Sequence, residues 1–304
     1  MKVYFWCPYF RTGGPESLHQ WCEAAKSQDF QAFMYYTDAS DVPHPSATKL
    51  EDSSPVLFPV YTLVERAFEI EDRPENLLVI PEVVTVSEIR EKYKSIRVVV
   101  AWLSITSGLP RLDHYLSFPD VTHVFQSFRA RRDVLVRAKE LGVEPRCFDV
   151  CDYINAEYLN QAWDRSVKKN QIAWNPVKDR IAGQLGIPGV PLFGMSREKV
   201  IETLKETKVY VDCGGHPGRD RIPREAAILG CIVVTNTAGT AECFEDVPLT
   251  TKALTVEELI GHIKNGFERY DDLLEAQNAY AQRIRQEKDL CLRQMLAFLK
   301  EMQV

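Results

Sequence analysis

The sequence predicts an α/β protein made of two Rossmann-like domains facing each other across a cleft. Three observations carry this. Apolar, β-branched runs alternate with amphipathic stretches, and such alternation builds a parallel sheet covered on both faces. A glycine-rich loop follows a strand in each half, at residues 12–14 and 214–218. The length of 304 residues suits about two domains of ~150 residues each.

The elements read as follows. Lys2 to Cys7 is a first strand, and Glu16 to Ser27 a helix with Leu18, Trp21, Cys22 and Ala25 on one face. Gln31 to Tyr36 is the next strand. Residues 38–60, with Pro43, Pro45, Pro55 and Pro59, read as an extended surface loop. Asn76 to Ile80 is a strand ended by Pro81, Ser87 to Tyr93 a helix, and Ile96 to Leu103 a buried strand. Val121 to Gln126 is a strand, Ala130 to Leu141 a helix, and Cys147 to Val150 the last strand of this half.

Residues 152–170 are polar and lack a strong strand, so the boundary falls there, giving domains 1–160 and 161–304. The second half restarts with Gln171 to Trp174. Pro191 to Met195 reads as a short strand and Ser196 to Thr207 as a helix. Thr255-Val-Glu-Glu258 reads as a capping box opening another helix. Asp271 to Met302 is helical and amphipathic, with Leu274, Tyr280, Ile284, Cys291, Met295 and Phe298 available for packing.

Composition narrows the function. A hydrophobic content of 45% with 26% charged residues is that of an ordinary globular protein. The net charge of −6 argues against general nucleic-acid binding. No apolar run approaches the ~20 residues that span a membrane, which leaves peripheral membrane contact open. The N-terminus lacks the pattern of a signal peptide. The eight cysteines form no Cys-x-x-Cys and no zinc-finger spacing, so a reduced, cytoplasmic protein is expected.

The most informative stretch runs from Val209 to Thr235. It reads as a buried strand, a loop with Gly214, Gly215 and Gly218, a short helix started by Pro223, and a strand after Gly230. A glycine loop at the carboxyl end of a parallel strand, leading into a helix N-terminus, suits an anion. Arg219 and Arg221 add charge-assisted phosphate donors, and Glu225 can accept sugar or ribose hydroxyls. The plainer reading is a tight turn whose Arg219, Arg221 and Arg224 form a solvated face. Thr12-Gly-Gly-Pro-Glu-Ser-Leu-His19 is the corresponding motif of the first half. It is not Gly-x-Gly-x-x-Gly, so the dinucleotide fingerprint is absent. Alone it reads equally as a tight βα turn capped by Glu16 or Ser17.

Together these residues resemble the GT-B glycosyltransferases. Thr12 to Gln20 is similar to their first loop, where a glycine pair precedes the first helix near the acceptor. Arg224-Glu-Ala-Ala-Ile-Leu-Gly-Cys-Ile-Val-Val-Thr235 resembles their donor motif, and Asn236 to Glu242 the loop after it. His216 to Glu225 resembles a signature of bacterial glycosyltransferases associated with surface polysaccharides.

The resemblance implies sugar transfer from a nucleotide sugar to a glycan or lipid-linked acceptor, with no other cofactor. By position it implies that Glu225 bonds the nucleotide ribose. Lys178, Gly215, Gly218, Arg219, Arg221, Gly239 and Thr240 complete the expected donor-binding set, Lys178 and the arginines being assigned from charge and placement. Thr12, Gly13 and Gly14 form the acceptor-side loop. The terminal helix, from about residue 273, is expected to pack back on the first domain. The sequence departs from the family at Pro217, where the first glutamate of the donor motif should stand. That favours a rival reading, a binding protein that keeps the fold without the chemistry. A scaffold role in glycan assembly is a third.

Three residues are candidates for the chemistry: Glu16 and His19 after the first glycine loop, and His216 at the mouth of the second. Asp113 is a further carboxylate near a strand end that could activate an acceptor hydroxyl. His123 reads as packed within a strand. Without Asp-x-Asp no metal is required. No Gly-x-Ser-x-Gly elbow supports a hydrolase.

Overall fold

The computed structural model describes residues 1–37 and 56–303. The loop expected over 38–60, with His44, therefore lies mostly outside the described residues. The chain divides into two compact units, Met1–Tyr153 with Lys288–Val304, and Ile154–Glu287. The break falls inside the polar stretch 152–170.

Among the described residues the first unit holds seven strands: β1 Lys2–Cys7, β2 Gln31–Tyr36, β3 Arg66–Ala67, β4 Leu77–Pro81, β5 Arg97–Trp102, β6 Thr122–Phe125 and β7 Arg146–Asp149. Every pairing is parallel, in the order β3-β2-β1-β4-β5-β6-β7. Side chains of a strand alternate between faces, and the core follows that period. Val3, Phe5, Leu77, Val79, Val99 and Ala101 pack on one side, and Tyr4, Leu78, Ile80, Val98, Val100 and Trp102 on the other. Helices α1 Gly13–Lys26, α2 Val86–Lys92, α3 Ile105–Gly108, α4 Leu112–Leu116 and α5 Phe128–Leu141 connect the strands. Helices α3 and α4 are single turns, too short to show a 3.6-residue period in the sequence. A capping box opens α2, where Thr85 and Glu88 bond each other's backbone N–H groups.

The second unit contains α6 Ala156–Leu159, β8 Lys169–Trp174, β9 Gly189–Pro191, α7 Arg197–Glu206, β10 Thr207–Asp212, α8 Arg221–Ile228, β11 Ile232–Thr235, α9 Val256–Glu268 and α10 Tyr270–Arg285. Its parallel sheet runs β11-β10-β8-β9. Ile172, Val209, Val211, Ile232 and Val234 face α9, while Ala173, Tyr210 and Val233 pack with Ala226 and Ala227 of α8. Buried Lys168 donates to the carbonyls of Leu204, Thr207 and Leu229. Its charge thereby meets the negative ends of α7 and α8.

Three expectations change here. The short strand lies at 189–191 rather than 191–195. Gly189 supplies the close approach, since a Cβ there would stand 2.5 Å from the Ile172 side chain, and Gly194, at φ +66°, turns the chain away. The cap of α9 is half a box: Thr255 accepts from the Glu258 N–H, but the Glu258 carboxylate takes the N–H of Leu254 at 2.7 Å. The long terminal helix is broken at Gln286, so α10 ends and α11 Glu287–Glu301 begins there. Cys291, Met295, Phe298, Leu299 and Met302 recur at helical spacing and join the core of the first unit.

Candidate functional site

In a doubly wound sheet, ligands bind beyond the carboxyl ends of the strands, where the strand order reverses. In the second unit that point lies between β8 and β10, whose neighbours β9 and β11 lie on opposite sides. The segments leaving β8 and β10 therefore flank the crevice. They are Asn175 to Asp179 and Cys213 to Asp220.

Buried Asp179 fixes the two segments together. Its Oδ2 accepts the Cys213 N–H at 2.8 Å, and its Oδ1 the N–H groups of Ile181 and Ala182. Lys178 pairs with Asp220, the residue that precedes α8. The next loop is laced in as well. Asn236 Nδ2 donates to Gly214 O at 2.8 Å, Thr240 N to His216 O at 2.9 Å, and Thr240 Oγ1 to Gly218 O at 2.8 Å. Gly239, at φ +55°, allows this contact, because a Cβ there would stand 2.1 Å from His216 O. Gly215 is exposed, with open space where its Cβ would be. The expected donor residues Lys178, Gly215, Gly218, Gly239 and Thr240 thus come together.

His216 occupies the middle of this arrangement. It is buried at 2% exposure and adopts left-handed backbone, φ +41°, which is uncommon for a residue with a Cβ. Its Nε2 lies 3.0 Å from Asp212 O and 3.7 Å from Asp212 Oδ1, and its Nδ1 lies 3.1 Å from Asp220 Oδ2. Burial opposes a charge on the ring, but the two aspartates outweigh it and raise His216 above its ordinary range. Burial also raises Asp212. Asp220, opposed by burial, is held low by His216 and Lys178. Asp212, His216 and Asp220 bring ligand-type atoms within 4.8 Å of one another, and Lys178 supplies positive charge beside them.

The arginines differ from a solvated face. Arg224 is among the largest fully buried side chains, and it donates to Glu287 Oε2 at 2.7 Å. Arg219 is paired with Glu287 Oε1. The guanidinium that the sequence assigned to phosphate is therefore engaged by a carboxylate. Arg221 begins α8 and is partly exposed, as is Glu225 one turn along the helix. Asp212, Asp220, Arg224 and Glu287 were not among the expected site residues. Asp212 and Asp220 stand four positions on either side of His216, a spacing that could have signalled them. Glu287 carries no local signal, since it is far from the loop in sequence.

In the first unit, order reverses between β1 and β4. The loop from Pro8 to Thr12 leads into α1, with Thr12 at its cap and Gly13 and Gly14 in its first turn. A Cβ at Gly14 would meet Leu103 at an ordinary 3.7 Å, so no close approach demands that glycine. Glu16 is buried and accepts from Tyr61 Oη at 2.9 Å. His19 has 0% exposure, and its ring bonds Pro15 O at 2.7 Å and Tyr36 Oη at 2.8 Å. Burial lowers it to about 4, so the ring is neutral at pH 7. Nδ1 then donates to the Pro15 carbonyl and Nε2 accepts from tyrosine. Both nitrogens of His19, expected among the candidates for the chemistry, are engaged by these two partners. Asp113 also departs from expectation: it is exposed on α4 and accepts two bonds from Arg137, at 2.6 and 2.7 Å. His123 is buried in β6 and accepts from Trp102 Nε1 at 3.0 Å.

A carboxyl that sequence reasoning missed stands at this crevice. Glu82 directly follows β4, is 3% exposed, and accepts the Leu103 N–H at 3.0 Å. Burial raises it to about 7.

No protein-family model and no curated protein matches the chain. Solved structures do. A glycosyltransferase from Rickettsia africae aligns with a TM-score of 0.64 at 11% identity, over 99% of this chain and 98% of that one. Anabaena Alr3699/HepE, solved with UDP-glucose, aligns with a TM-score of 0.64 at 14% identity, over 99% of this chain and all of that one. The T4 phage BGT, solved with its UDP-glucose substrate, gives a TM-score of 0.60 at 9% identity, with both chains covered in full. At these identities the likeness shows the fold, and the chain has the GT-B fold of two Rossmann-like units.

Proposed function

We propose that this chain is a glycosyltransferase that moves a sugar from a nucleotide sugar to a glycan or lipid-linked acceptor. The observation that carries the reading is the loop from Cys213 to Asp220. It leaves β10 at the reversal point of the sheet, presents exposed Gly215, and enters α8 beside Lys178. Backbone N–H groups, a helix start and a lysine together make a diphosphate site. Glu225 and the turn at Gly239 and Thr240 flank it and would take the ribose and sugar hydroxyls. Neighbours of the same fold were solved with UDP-glucose, which makes a uridine diphosphate sugar the first donor to try.

In this reading Lys178 and Arg221 balance the developing charge of the leaving diphosphate, and neither a metal nor a bound cofactor is needed. Preorganised cations of this kind stabilise charge that grows in the transition state. Glu16 and Glu82 are buried carboxyls at the first unit's own reversal point, and the acceptor is assigned to that side. No described helix is long and apolar enough to cross a membrane, and the cysteines of the described residues stand as thiols. A cytoplasmic protein, meeting a lipid-linked acceptor at the membrane surface, accords with both.

A panel of nucleotide sugars tests the reading by thermal shift and by release of the nucleotide with and without acceptor. A donor at 100 times its dissociation constant should stabilise by about 2.7 kcal/mol. Pro217, standing where the family has a glutamate, favours a second reading, a non-catalytic nucleotide-sugar binder. Binding without release of nucleotide under any acceptor would select it.

A further inference from the structure

His216 is joined to three segments at once. Its ring contacts Asp212 at the end of β10 and Asp220 at the start of α8, at 3.0 and 3.1 Å. Its carbonyl accepts from Thr240 N, under the close approach of Gly239. Its backbone is in the left-handed region, which side chains with a Cβ enter only when their surroundings hold them there. A ring so enclosed, with Nε2 on the Asp212 carbonyl and Nδ1 in ion-pair distance of the Asp220 carboxylate, is poorly placed to meet a substrate.

We propose that His216 is the positioning residue of the donor loop: clamped between Asp212 and Asp220, it sets the path of Gly214 to Gly218 across the start of α8. This rests on the donor reading above and changes the role expected for His216 from chemistry to geometry. The ring must be protonated to pair with the Asp220 carboxylate while Nε2 donates to the Asp212 carbonyl. The charged groups around it are Asp212 of β10, with Tyr210 donating to that carboxylate, Asp220 at the start of α8, and Lys178, bound to Asp220. Arg219, Arg224 and Asp246 border the same small cavity. The two aspartates raise the ring's affinity for the proton in the folded state. The clamp is therefore complete below the ordinary histidine range and is lost as pH rises through the folded value.

The test compares the intact wild-type chain with His216→Gln, His216→Gly and His216→Asn. Glycine keeps the left-handed backbone without the ring, and asparagine tolerates it and keeps an N–H. Hydrogen exchange over 213–220 should quicken about tenfold in the Gln and Gly variants, with β8 and β10 unaffected. With UDP-glucose as probe, the wild-type dissociation constant should rise about tenfold from pH 6 to pH 9. That slope should flatten in the variants, and His216→Asn should recover part of the loss. In turnover the defect should fall on KM. Unchanged loop exchange in His216→Gly would overturn the proposal, as would a loss confined to kcat with KM intact. Failure of the wild type to bind UDP or UDP-glucose would instead count against the donor reading, and the exchange comparison would still decide the role of His216.

Discussion

The Arg224 guanidinium donates to the Glu287 carboxylate at 2.7 Å, and both side chains are 2% exposed. Arg224 belongs to the helix that follows the loop from Cys213 to Asp220, and Glu287 is the last residue of the second unit. With Arg219 on its other oxygen, one buried carboxylate neutralises two buried cations. Removing one partner of such a group strands the rest without solvent. Glu287→Gln should therefore cost about 3–5 kcal/mol of stability. Chemical denaturation measures it, and a cost under about 1 kcal/mol would show the pair to be solvated.

Glu225→Gln should leave the fold intact and weaken nucleotide binding. Charge-assisted hydrogen bonds contribute roughly 1.5–3 kcal/mol, so affinity should fall tenfold or more. Calorimetric titration with UDP-glucose checks this, and equal affinity in the two proteins would remove Glu225 from the site.

Gly239→Ala should damage the same loop through the backbone. The position is at φ +55°, and the added Cβ would stand 2.1 and 2.2 Å from the carbonyl oxygens of His216 and Gly215. The left-handed conformation alone costs about 1–2 kcal/mol, and the displaced carbonyls add to it. A lowered melting temperature together with weakened UDP-glucose binding is expected. A variant as stable and as tight-binding as the parent would show that the two loops need not touch.

Glu82 gives a pH signature. Its folded value is raised from 4.5 to about 7 by burial, so the folded state holds a proton that the unfolded state releases. Its presence therefore costs stability as pH rises from about 4.5 to 7. Glu82→Gln should stabilise the protein by about 3 kcal/mol at pH 8 and by almost nothing at pH 4. Denaturation curves at both pH values check the sign. Equal differences at the two would mean that the carboxyl does not titrate on folding.

Much of this was legible in the sequence, for identifiable reasons. Strands such as Val98 to Trp102 announce themselves because both faces are buried and the run is continuously apolar. The unit from Val209 to Thr235 was readable because Gly230 and Pro223 punctuate it. Helices α3 and α4 were not, being single turns. The aromatic shell around His19, with Tyr36, Phe58 and Tyr61, is assembled from distant segments, so a histidine after a glycine loop looked like a site. Arg219 and Arg224 looked like surface charge or phosphate ligands because their partner, Glu287, lies more than sixty residues away. Sequence proximity shows which groups a loop carries, and only the fold shows which are already engaged.

In the proposed function the donor sits on the second unit, over the loop from β10 to α8. Hydrogen exchange with and without a saturating nucleotide sugar, UDP-glucose first, tests it most directly. Slowed exchange is expected at residues 213–220 and 236–242, with the β7 and α5 segments unchanged. A ligand that binds tightly yet leaves both loops exchanging at their free rates would contradict it.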